Sequence, residues 1–101
     1  MTTTHPNYFN EASSLLASKL PDCPPELIRY YTLLLLVKSE DVTLEDVHHA
    51  WAAWRVDSDR PDHPMIVPMA QVPEDIQAYD EPYRAVIAET ARELRDARDA
   101  A

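Results

Sequence analysis

The chain has 101 residues, 46% of them hydrophobic, with a net charge of −9, a single cysteine and no glycine. That length holds one domain with one core, and the negative field repels phosphates, which argues against nucleic acid or an anionic membrane as a partner. Without glycine there is no phosphate-cradling loop, dinucleotide fingerprint or nucleophile elbow, each of which needs positive φ or close backbone approach.

Residues 1–6 read as a disordered N-terminus, and they lack the basic-then-apolar pattern of a signal peptide. Residues 7–101 read as a single helical domain. A first helix is expected from Asn7 to Lys19, stopping before Pro21. The Asp22-Cys23-Pro24-Pro25 stretch is a rigid connector, and its lone cysteine fits a reducing cytoplasm and has no assigned role. A second helix is expected over Pro25–Lys38, with proline in its first turn. This helix is apolar nearly all round, so it must be central in a bundle or covered by a partner, which admits a homodimer. Its longest apolar run, Leu33–Val37, falls far short of the ~20 residues of a membrane span.

After a polar break, Thr43 with Asp46 three residues on starts a third helix, Leu44 to about Val56, in the manner of a capping box. Its apolar stripe is Leu44, Val47, Trp51 and Trp54, with His48 on the same side. Asp57–Asp62 reads as a solvated loop. His63–Met69, carrying Pro64 and Pro68, reads as extended. Pro73 can open a short helical turn through Tyr79, and Asp80 can cap a last helix with Pro82 in its first turn. In that helix Tyr83, Val86, Ile87, Thr90, Ala91 and Leu94 recur at three-four spacing. Arg92–Asp96 and Arg95–Asp99 are candidate i,i+4 pairs on its wet side. The expected fold is all-α, with about four helices and a Pro-rich extended segment between the third and fourth.

The chemistry-bearing residues cluster between Val47 and Asp80. His48, His49 and His63 match no metal-ligand spacing, since adjacent helical residues point about 100° apart, and no metal or other cofactor is expected. His48 on an apolar stripe suits a core histidine bonded to a backbone carbonyl. Most carboxylates lie in solvated runs and no serine or cysteine has an activating neighbourhood, so an enzyme is not expected. Trp51, Trp54 and Arg55 can share one helix face, where two indoles and a guanidinium can hold a planar ring and an anionic group. The same two Trp can instead be the largest core residues of a domain with one Phe.

In order and spacing these pieces resemble the ryanodine-receptor-type repeat, the RyR domain, over roughly residues 40–95. That family's H-x-x-W-x-x-x-R is matched by His48, Trp51 and Arg55. Its H-P-x-L-V-P-[FY] is matched by His63-Pro64-Met65-Ile66-Val67-Pro68-Met69, and its L-P-x-x-x-x-x-Y-D by Val72-Pro73 and Tyr79-Asp80. The family's Gly-Trp…Tyr-Gly stretch between Arg and His-Pro is replaced here by the short Val56–Asp62 loop. The composition is also similar to that of small actinobacterial or actinophage accessory proteins. The resemblance implies a non-enzymatic protein-contact module, in a phage or prophage context. It also implies the alternative of a nucleotide receptor, with Arg55 on a phosphate and Trp51, His63 and Tyr79 around the base. Under the first reading the partner is a protein, favoured by a basic surface because residues 41–101 hold fourteen acids against six Arg. Set against a ligand-lining role is a structural one, the favoured reading for most of these residues, in which His48, Trp51, His63, Pro64, Val67 and Pro68 lock the extended segment onto the third helix.

Overall fold

In the computed structural model, residues 7–58 and 61–100 are described; the expected disordered N-terminus and part of the Asp57–Asp62 loop lie outside them. The fold is all-α. Four long helices, α1 (Tyr8–Lys19), α2 (Pro25–Lys38), α3 (Leu44–Asp57) and α5 (Glu81–Ala100), are accompanied by the one-turn α4 (Glu74–Gln77), and no strand occurs among the described residues.

Helix boundaries follow the local chemistry. Asn7 caps α1, its Oδ1 accepting from the N–H groups of Phe9 at 2.9 Å and Asn10 at 3.2 Å. Pro25 opens α2, where its missing N–H would have had no helical partner. The capping box at α3 is complete: Asp46 N–H donates to Thr43 Oγ1 at 3.1 Å, and Thr43 N–H donates to Asp46 Oδ2 at 3.0 Å. Burial raises the Asp46 carboxyl, but those bonds and the nearby Lys38 outweigh it and hold it below its ordinary value. Helix α2 ends on Ser39 at φ 56°, a left-handed position that a chain without glycine fills with a residue carrying a Cβ.

Helix α2 is the axis of the bundle and touches α1, α3 and α5. The core gathers Leu16, Leu27, Ile28, Tyr31, Leu35, Val47 and Ile87, with Ala88 and Ala91 letting α5 approach closely. Two buried hydroxyls are satisfied within their own helices: Thr32 donates to Ile28 O and Thr90 to Val86 O, both at 2.7 Å. The expected stripe on α5 faces this core, with Ile87, Thr90 and Ala91 buried. Helix α2 is not wrapped completely, for Leu33 and Val37 remain 55% and 69% exposed.

Two expectations are corrected. Arg92 and Arg95 do not make the i,i+4 pairs; both reach across to Glu40 in the 3-10 turn Ser39–Asp41, and Arg95 also lies 3.4 Å from Asp96. An acceptor from another element competes with the weak pairing along a single helix. The Pro-rich segment is a run of turns rather than an extended stretch. Ile66 N–H donates to His63 O at 3.1 Å, and a 3-10 turn follows at Met69–Gln71. Proline bars helix and removes donors, but it pre-sets φ equally well for turns, and the buried Met69 and Val72 draw the chain inward.

Candidate functional site

Four of the five residues singled out in the sequence meet at one place. A cavity of about 310 Å³ lies between α3, the Pro-rich turns and α4, and it is lined by His48, Trp51, His63, Tyr79 and Asp80 with the aliphatic Met65, Val72 and Ile76. His48 and Trp51 come one turn apart from α3, and their rings stack with centroids 5.7 Å apart and an interplanar angle of 24°. The His63 ring meets Trp51 edge to face at 5.1 Å and 89°. Tyr79, 70% exposed, forms the rim.

Backbone contacts fix these walls. His48 is buried, and its Nε2 lies 2.6 Å from Val67 O, so Nε2–H donates and pins the Pro-rich turns to α3. His63 Nδ1 accepts the Met65 N–H at 3.1 Å, which in the neutral ring leaves the proton on Nε2. Gln77, which drew no attention in the sequence, donates from Nε2 to Met69 O at 3.1 Å and Val72 O at 2.7 Å, tying α4 to the turn before it. Its side chain satisfies carbonyls that a proline-rich, donor-poor segment leaves open.

Asp80 is where the structure adds most. It does not cap the last helix: it ends the 3-10 turn Ala78–Asp80, which runs straight into α5. No described residue gives its carboxylate a hydrogen bond or ion pair. Burial in the cavity wall raises it above its ordinary value, against the opposing pull of His48. The Tyr79-Asp80 pair was visible in the sequence, but its orientation was not, because a helix start uses an Asp as readily as a pocket does.

Arg55 is the expected site residue that does not join the others. It does not line the cavity; its guanidinium lies 4.7 Å from the centre of the Trp54 ring and 6.0 Å from that of Trp51. Its Nε is buried without a hydrogen-bond partner among the described residues. Among the described residues, no three His, Cys, Asp or Glu side chains gather as a metal site would require, although His48, His63 and Asp80 share one cavity.

Chemically, the arrangement offers aromatic faces, an aliphatic floor and one carboxylate that no described residue pairs. No curated protein and no solved structure matches this chain. A family model does match, over residues 7–92, which takes in α1–α4, most of α5 and every residue of the cavity. The chain therefore belongs to the family described as a domain of unknown function, DUF7701.

Proposed function

We propose that this protein is a non-enzymatic, RyR-like binding module that engages a cytoplasmic protein partner through the cavity between α3 and α4. One observation carries the reading: His48, Trp51, His63 and Tyr79, drawn from three separate stretches of sequence, line a single cavity. A concave, aromatic pocket with a few polar groups can seat one anchoring side chain of a protein partner, as hot-spot pockets do. The composition, similar to that of small phage-type accessory proteins, suits such a module in an accessory role.

The alternative, a receptor for a nucleotide or nucleotide-derived signal, draws support from the Trp51 and His63 rings, on which a base could stack. It is weakened at the phosphate end. Arg55 is turned to Trp54 outside the lining, and the charged residue in the lining is the acidic Asp80. The volume of about 310 Å³ is also at the lower limit of small-molecule pockets, which run from ~300 to 1,000 Å³.

The test compares wild type with Tyr79→Ala, a rim change at an exposed position that leaves the core intact. Affinity capture from the host should retain a protein with wild type and lose it with the variant, while both melt at the same temperature. A panel of nucleotides should leave the melting temperature flat. A nucleotide at 100 times its Kd would add ~2.7 kcal/mol, or roughly 4–8 °C per kcal/mol for a domain of this size. A shift of that size would replace the partner reading with the receptor.

A further inference from the structure

We propose that the cavity holds the cationic end of a Lys or Arg side chain from a basic protein partner, with Asp80 as its counter-ion and the rings of Trp51, His48, His63 and Tyr79 as its walls. The inference deepens the partner reading above and rests on it.

Asp80 is half-buried in the cavity wall and takes no hydrogen bond or ion pair from the described residues; burial disfavours its charged form, and the nearby His48 offsets only part of that. From Pro61 to Tyr83 there are five acids, Asp62, Glu74, Asp75, Asp80 and Glu81, and no Lys or Arg at all. Arg60, which precedes this segment, lies outside the described residues; Arg84, which follows it, is paired with Glu81, and Arg55 is engaged with Trp54. A cation arriving from outside therefore meets a carboxylate that no described residue pairs, and an acidic segment around it.

The walls point to the same chemistry. Aromatic faces attract cations through the ring quadrupole, Trp most strongly, and a desolvated site strengthens the attraction. The tip of a basic side chain is charged while its stem is apolar, which suits a carboxylate and rings above the aliphatic Met65, Val72 and Ile76. An anionic group in the same place would face Asp80 without compensation. The cavity, at about 310 Å³, is scaled to one such side chain rather than to a dinucleotide.

The experiment uses the whole chain and two side-chain analogues, n-butylammonium and n-butylguanidinium, with n-pentanol as an uncharged match of similar length. The two Trp indole N–H resonances are followed by NMR, with Trp54→Phe used to assign them. The cations should shift the Trp51 resonance at concentrations where pentanol does not. Asp80→Asn, of the same size without the charge, should weaken cation binding at least tenfold while the fold persists. A Lys- and Arg-rich peptide should bind more tightly than either free analogue, since the acidic segment adds attraction. Equal binding of pentanol, or an unchanged affinity in Asp80→Asn, would overturn the inference; the pentanol comparison needs no variant and so does not depend on its folding. A peptide no tighter than the free amine would overturn the assignment to a protein side chain. Failure here together with a partner lost in Tyr79→Ala would leave the binding module standing without its cation. Cation binding with no Tyr79-dependent partner would remove the module reading instead.

Discussion

Asp80 and Ser39 are both placed where a stability-driven choice would put something else. Burial raises the Asp80 pKa above the ordinary 3.8, so the folded chain holds this proton more tightly than the unfolded one. Ionising it therefore opposes folding. The penalty is absent below about pH 3.8, grows as pH rises through the folded-state value, and is complete above it. His48 on α3 tempers this from the cavity side, and Tyr31 on α2 senses the same charge. Asp80→Asn should consequently melt higher than wild type at pH 7, with the gap closing as the pH is lowered, as calorimetry across a pH series would show. A lower melting temperature at pH 7 would mean that Asp80 has a stabilising partner. Ser39, at φ 56°, holds a backbone position that favours glycine. Such strain is worth ~1–3 kcal/mol, and glycine returns some of it as unfolded-state entropy, ~0.5–1 kcal/mol. Ser39→Gly should thus stabilise by about 1 kcal/mol in denaturant unfolding.

At the scale of elements, the most legible features were those with local causes. The Asn7 start of α1, the Pro25 start of α2 and the Thr43–Asp46 box are satisfied by atoms within a few residues, so sequence spacing suffices to find them. Thr43→Ala breaks the box and should cost ~1 kcal/mol of stability, together with a weaker dependence on pH in the acid range, because Asp46 loses bonds that lower its pKa. The Pro-rich stretch was less legible. Proline excludes helix, but the choice between extended chain and turns rests with His48 and Gln77, whose bonds to Val67, Met69 and Val72 come from elements on either side. The wet face of α5 misled for a similar reason: Arg92 and Arg95 have a better acceptor in Glu40, more than fifty residues away in sequence.

At the scale of the whole molecule, the bundle leaves Leu33 and Val37 of α2 exposed beside each other on one face, the face that a homodimer would cover. Sedimentation should be concentration-dependent for wild type and monomeric for Val37→Lys, with the monomer fold unaffected at so exposed a position. Monomeric wild type at every concentration would reject the dimer. Among the described residues, no helix is long and apolar enough to cross a membrane. The all-α class, the four long helices and the core stripe of α5 follow from the sequence by itself, because periodicity, proline and capping residues act over one or two turns. The five candidate residues, His48, Trp51, Arg55, His63 and Tyr79, could likewise be named in advance, as polar and aromatic side chains concentrated in one third of the chain; four of them line the cavity. Only the tertiary structure decided that these four share a cavity, that Arg55 stands outside it and that Asp80 lines it with no hydrogen bond or ion pair from the described residues. Those outcomes depend on how turns fold back on a helix and on which distant group desolvates a charge, and neither distance nor dielectric is written in residue spacing.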